Sequence, residues 1–452
     1  MDPSYLIYNA RIVNEMACFT GTVLVKEGRI AEIFQGNIPE DFQLPHQIVC
    51  IDARQKLLIP GVIDDQVHFR EPGLTDKGDL FTESRAAVAG GVTSYMDMPN
   101  TKPPAITLDI LEEKFSLAAQ KSLANYSFFL GASNHNLSEI EKADPNRICG
   151  LKVFLGSSTG NMLVDDPDTL DSIFAASPLL IAVHAEEEPV IRENLQKFKK
   201  KYGAAIPFSA HPLIRSEQAC FLSSQKAVTL ARKHKSRLHL LHLSTAKELE
   251  LLQNDRPLIE KMITGEVCIH HLWFDDRDYQ KLGSKIKWNP AIKSAHDREA
   301  LFEGLLNDKI DLIATDHAPH LSSEKENPYT SCPSGGPLIQ HSLVAMLEFY
   351  HLKKISIEKI VEKMCHNPAI LYRINNRGFV RKGYWADLVL IDPNYRWMVE
   401  KKNILSKCGW SPFEGISFKS RVTHTWVNGR LVFENGQINE LCNGKRLNFN
   451  TK

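Results

Sequence analysis

Short apolar runs punctuate this chain, and their style changes between its ends and its middle. Near the start, LIYNARIV (6–13) and GTVLVKEGRIAEI (21–33) are β-rich and turn at Gly28. Near the end, ADLVLID (386–392) reads as a strand, and HTWVNGRLVFENG (424–436) sets Asn-Gly between two apolar runs. That dipeptide predicts a tight hairpin, because a type I′ turn needs positive φ at both central residues. KEGRI and VNGRL are alike. The two ends, 1–55 and 379–452, are therefore expected to build one small β-sandwich together.

Between them, eight apolar runs alternate with helix-like stretches. The runs are LLIPGVID (57–64), VTSYMDM (92–98), YSFFLGA (126–132), GLKVFLG (150–156), LLIAVHAE (179–186), RLHLLHLS (237–244), EVCIHHLWF (266–274) and IDLIATDH (310–317). Parallel strands buried on both faces read as continuous apolar runs of this kind. The intervening TLDILEEKFSLAAQK (107–121) and SEQACFLSSQKAVTLARKH (216–234) are amphipathic. Eight strands alternating with helices predict an α/β fold, a (β/α)8 barrel spanning 56–378.

Composition narrows the function classes. Lys+Arg and Asp+Glu both number 54, so the formal net charge is zero. That argues against a general nucleic-acid binder or a polybasic membrane binder. No apolar run approaches the twenty or so residues of a membrane helix, and the N-terminus does not read as a signal peptide. Nine scattered cysteines without a Cys-x-x-Cys pair suit a reduced, cytoplasmic protein.

The polar residues that interrupt the apolar runs fall near their C-terminal ends, where barrel active sites form. The first run leads into DDQVHFREPG (64–73), the second into MPN (98–100) and the eighth into ATDHAPH (314–320). Lys152, His184 and His242 sit in the fourth, fifth and sixth. One buried His or Lys is ordinarily a packing residue; five strands delivering such groups at one level is a pattern. His68, His184, His242 and Asp316 are the usual ligand types for Zn²⁺ and related divalent ions. Lys152 fits that set if its amine is neutral and has reacted with CO2 to give a carbamate; otherwise it points outward into a salt bridge.

These residues resemble the amidohydrolase superfamily and, within it, the dihydroorotases, over nearly the whole chain. The segment HFREPGLTDKGDLFTESRAAVAGGVTSYMDMPNTKPP (68–104) carries the likeness most strongly, followed by ATDHAPH, GLKVFLGSSTG and WNPAIK (288–293). The resemblance implies up to two divalent ions per subunit, Zn²⁺ by expectation, bridged by a carboxylated Lys152. His184 and His242 would hold one ion, His68 and Asp316 the other. Asp316 would also be the general base and acid, taking a proton from a bridging hydroxide and passing it to the leaving amide nitrogen. Arg70, Asn100 and His320 match the group that binds the substrate carboxylate, and Asn289 the residue that contacts the ring. The implied reaction interconverts N-carbamoyl-L-aspartate and L-dihydroorotate in pyrimidine synthesis, and the implied assembly is a homodimer.

Two positions depart from that pattern. The family has His-x-His after the first strand; here Gln66 stands in place of the first histidine, and an amide is a weak ligand beside an imidazole. Unequal metal affinities are expected. Lys293 stands where relatives often have Arg. The loop SSEKENPYTSCPSGGPL (322–338) is expected to place Gly335, Gly336 and Pro337 near the ring. Two other readings remain open: another cyclic amidase (hydantoinase, dihydropyrimidinase or allantoinase) and a silent barrel serving as a scaffold. Arg70 and His320 speak against the first, and five intact metal groups against the second.

Overall fold

The structure, a computed structural model, describes residues 3–36, 38–45, 47–156, 162–440 and 444–450. Among these, eight parallel strands ring the centre. They are Val62–Val67, Val92–Asp97, Asn125–Phe128 continued by Leu130–Gly131, Leu151–Phe154, Ile181–His184, Leu238–Leu240, Ile263–Cys268 and Leu312–Ala314. Each pairs with the next. A bridge between Val67 and His317 closes the ring, making it the predicted barrel. Helices wrap it because their apolar faces have no other partner. Leu108–Lys121 starts where the Thr107 side chain accepts from the Ile110 amide, and Glu217–His234 starts where Ser216 accepts from Ala219. Both helices fall within a residue of expectation.

Three runs divide differently from their sequence reading. The run 57–64 is two strands: Leu57–Pro60 pairs outside the barrel, and the barrel strand starts at Val62. The run 266–274 ends its strand at Cys268 and continues as the helix Ile269–Trp273. Continuous hydrophobicity cannot separate a buried strand from a buried helical turn. The run 310–317 keeps only Leu312–Ala314 as strand, because Asp316 turns the backbone at φ 48°.

The two ends of the chain share one sheet, as the paired hairpin motifs foretell. Its path runs Gln437–Ile438, Arg430–Glu434, Arg421–Val427, Leu388–Asp392, Leu57–Pro60, Ser4–Asn14, Ala17–Lys26, Arg29–Gln35, with Ile48–Asp52 also on Ser4–Asn14. Asn428 and Gly429 both have positive φ, 52° and 75°, as do Glu27 and Gly28, 53° and 77°. The two turns meet tip to tip: a Cβ on Gly429 would lie 2.4 Å from the Gly28 Cα. The likeness of KEGR and VNGR thus marks two hairpins that pack on each other.

Other parts of the C-terminal segment reach back to the barrel. Leu447 and Phe449 join the core around Met96, Phe129 and Tyr372, while the Trp410 indole donates to the His320 carbonyl at 2.7 Å. No described helix is long and apolar enough to cross a membrane.

Candidate metal centre and active site

A cavity of about 450 Å³ opens where the barrel strands end. Strand one and its loop bring Gln66, His68 and Arg70 to its wall. The loop after strand two brings Asn100, strand four Lys152, strand five His184, and the turn after strand six His242. Asn289 comes from the segment after strand seven, Asp316 and His320 from the one after strand eight. All ten sequence-predicted residues therefore line one cavity. Of the segment GLKVFLGSSTG, positions 157–160 lie outside the described residues.

Three of these residues occupy left-handed backbone: Arg70 at φ 70°, His242 at 40° and Asp316 at 48°. Each costs of order 1 kcal/mol or more in a non-glycine residue and needs surroundings that over-determine it. For Arg70, its Nε donates to the Pro319 carbonyl at 3.0 Å. For His242, its backbone N–H donates to Glu266 Oε1 at 3.1 Å. Next to Asp316, Thr315 donates to the buried Asp64 carboxylate. Gly73 closes the Arg-Glu-Pro-Gly turn at φ 84°, where a Cβ would fall 2.1 Å from the Lys102 carbonyl oxygen. That close approach locks the loop of His68 and Arg70 to the loop of Asn100.

The metal-type donors fall into two pairs. His184 Nδ1 lies 2.9 Å from His242 Nε2, and His68 Nε2 lies 3.1 Å from Asp316 Oδ1. Each pair has support behind it. His184 Nε2 faces Glu186 at 3.0 Å, and Glu186 is paired with Arg215. Burial opposes ionisation of Glu186, but the Arg215 guanidinium overrides it and holds the carboxyl down at about 2. On the other side, His68 Nδ1 meets Asn100 Oδ1 at 2.7 Å. Burial lowers the pKa of both His184 and His242, so their imidazoles are neutral and available as ligands. Gln66 is engaged at both ends of its amide: the nitrogen donates to Asp316 Oδ1 at 3.4 Å and the oxygen accepts from the Cys268 thiol at 3.7 Å.

Lys152 decides whether these residues suit a bridged metal pair. It is 1% exposed, and its ammonium lies inside the cavity, 4.8 Å from the centre of the Phe154 ring. The outward salt-bridge reading therefore fails. Burial brings its pKa down to about 8, against the pull of Asp316 and Glu266, so a neutral amine is accessible. A buried primary amine beside two pairs of ligand atoms fits carboxylation and bridging. His242 Nδ1 is also buried, without a hydrogen-bond partner among the described residues.

Sequence reasoning passed over several groups that the structure places here. Lys77 lines the cavity and touches His320; Lys102 and Phe154 line it too. Glu186 stood in the quoted run 179–186, two residues past His184, and that spacing was its signal. Asp97 accepts from the Phe69 amide and pairs with Lys114, pinning the strand-one loop. His317 is structural: its ring meets Glu83 at 2.9 Å and accepts from Leu338. Ser334 donates to Asn289, and Gly335 lines the cavity at φ 122°, as expected of that loop; Gly336 instead packs between Trp288 and Trp410. Lys293 points to Ser244 and the Ala291 carbonyl. Beneath the cavity, Asp65, His239, Glu266 and Tyr372 form a buried network.

The chain belongs to the amidohydrolase family, whose sequence pattern matches residues 57–432. It is an enzyme of the cyclic-amide hydrolase kind. It is 30% identical over 448 residues to a dihydroorotase of Methanosarcina acetivorans, covering 97% of this chain and 93% of that one. It is 31% identical over 443 residues to a dihydroorotase of Pyrococcus abyssi, covering 98% and 96%. Among solved structures, an L-hydantoinase (dihydropyrimidinase) from Arthrobacter aurescens superposes with a TM-score of 0.90 at 28% identity, covering 97% of this chain and 98% of that one.

Proposed function

We propose that this protein is a dihydroorotase, interconverting N-carbamoyl-L-aspartate and L-dihydroorotate. The observation that carries the reading is the buried Arg70 guanidinium in the wall of the cavity that also holds the metal-type donors, hydrogen-bonded to His320. A guanidinium fork recognises a carboxylate bidentately. Dihydroorotate has that carboxylate; neutral hydantoins and dihydropyrimidines lack it. The dihydroorotase relatives, at 30–31% identity over nearly the full chain, support the same choice.

Two divalent ions, Zn²⁺ by ligand type, would be held by His184 with His242 and by His68 with Asp316, with carboxylated Lys152 shared. Bound there, they supply positive charge that polarises a carbonyl and lowers the pKa of water. The chain's own residues do the rest. Arg70, Asn100 and His320 hold the substrate carboxylate and fix which amide faces the donors. Asn289, tethered by Ser334, positions the ring. Asp316 accepts a proton from attacking water and returns it to the departing amide nitrogen; cyclisation runs these transfers backwards. Gly335 and its neighbours limit water on the open side.

The test is an assay of carbamoyl-aspartate cyclisation and dihydroorotate hydrolysis, with metal stoichiometry on the same purified sample. Turnover of L-dihydroorotate well above that of hydantoin and dihydrouracil is the expected result. The reverse preference would move the protein to the hydantoinase reading that the Arthrobacter structure favours. No turnover of any of them with metal bound would favour the scaffold.

A further inference from the structure

The carboxylate end of the cavity contains a conflict of donors. Arg70 Nη2 lies 3.1 Å from His320 Nε2, and Lys77 Nζ lies 3.2 Å from His320 Nδ1. Both cations can only donate. A neutral imidazole has one N–H and one acceptor, so His320 can accept from one of them alone. Its ring is held neutral: burial first, then Arg70, Lys77 and Lys325, push its pKa far below the ordinary value. The Ser334 backbone also bonds to the ring and pulls the other way, and Glu324 lies against it. Glu324 accepts from Lys77 at 2.6 Å and from the Leu321 amide, and its Oε2 lies 3.4 Å from His320 Nδ1.

With no anion present, the better arrangement puts the proton on Nδ1. Nε2 then accepts from Arg70, and Nδ1–H faces Glu324. When a carboxylate enters, it draws the Arg70 N–H groups to itself. His320 contributes to its binding only if Nε2 now carries the proton. That tautomer leaves Nδ1 bare, and Lys77 is already placed to donate to it.

We propose that Lys77 is a positioning residue that selects the Nε2–H tautomer of His320, converting His320 from an acceptor for Arg70 into a donor for the substrate carboxylate. This rests on the dihydroorotase reading. The proton balance is neutral: Nδ1 gives up one proton and Nε2 gains one, so the ring's charge does not change. Lys77 thereby adds selectivity for carboxylated over neutral cyclic amides without touching the reacting bond. A hydrogen bond to a charged group carries about a tenfold effect or more on binding.

The experiment uses the full-length, metal-loaded enzyme with ¹⁵N-labelled histidine, with and without orotate, an aromatic carboxylate with no saturated ring to open. In the wild type, the His320 signals are expected to shift from Nδ1–H to Nε2–H when orotate binds. In Lys77→Met they stay Nδ1–H, and KM for L-dihydroorotate rises about tenfold or more while kcat moves less than about threefold. Lys77→Arg keeps a donor and recovers most of the KM. Lys77→Leu, which likewise has no donor, serves if the Met variant does not fold. A wild-type tautomer indifferent to orotate, or an unchanged KM in a folded Lys77→Met, overturns the proposal. The two readings fail separately: a wild type that ignores L-dihydroorotate refutes the function, whereas one that turns it over but needs no Lys77 refutes only this inference.

Discussion

The two donor pairs at the barrel mouth are built to different standards. His184 and His242 come from adjacent strands and offer two neutral imidazoles 2.9 Å apart. Behind them stand a buried ion pair, Glu186–Arg215, and the Glu266 carboxylate on the His242 backbone. His68 and Asp316 come from opposite ends of the barrel sequence and are brought together by closure of the ring. Behind His68 is the neutral amide of Asn100, and beside it Gln66 offers only another amide, turned toward Asp316. Ligand strength follows what lies behind a ligand as much as the ligand itself. The strand-five and strand-six pair should therefore hold its ion tightly and the strand-one and strand-eight pair loosely.

The hardest blow to that contrast is the removal of Lys152, which the proposed function makes common to both pairs. Lys152→Ala should lower kcat/KM at least about a thousandfold in both directions, since the charge it organises is worth several kcal/mol at the transition state. Metal content should fall in both positions. A variant that kept one ion and most of its activity would show that the pairs work independently.

A gentler test separates the pairs. Dialysis of the wild type against a mild chelator should remove one equivalent of metal well before the other, followed by elemental analysis. Gln66→His should close the gap, tightening the weaker position by about tenfold or more. Two equally tight ions in the wild type would refute the asymmetry. From the other side, Glu186→Gln should loosen the ion held by His184 and His242 by about tenfold, the low end for loss of a group behind a metal ligand. The neutral amide no longer fixes the imidazole with charge, and Arg215 loses its buried partner.

Much of this was legible in the sequence, for identifiable reasons. The barrel strands are buried on both faces and so announce themselves as apolar runs; the ligands stand out because they interrupt those runs. The hairpin at Asn428–Gly429 was readable because positive φ at both positions restricts the residue choice. What escaped was whatever depends on cross-chain contact. Lys77 looks like one more surface lysine until the fold carries it 243 positions away to His320. Leu57–Pro60 reads as barrel until its partners turn out to be Arg11–Ile12 and Leu388–Ile391. Asp65, His239 and Glu266 lie on strands one, six and seven, far apart in the chain, and only ring closure makes them meet.

That buried network sits under both donor pairs: Asp65 precedes Gln66 in the chain, and Glu266 supports His242. Burial alone would lower the His239 pKa, but Asp65 and Glu266 override it and raise it to about 9. The folded protein therefore binds an extra proton between the ordinary histidine value of 6.5 and about 9. The resulting stability is fully present below pH 6.5 and is lost as pH rises through about 9. His239→Gln should accordingly cost about 2 kcal/mol near pH 6, with the difference from wild type shrinking at alkaline pH in denaturant melts. A cost that stayed constant across that window would mean His239 is neutral in the fold. The charge balance beneath the two pairs would then have to come from a protonated Glu266, whose pKa burial and Asp65 already push well above the carboxylate range.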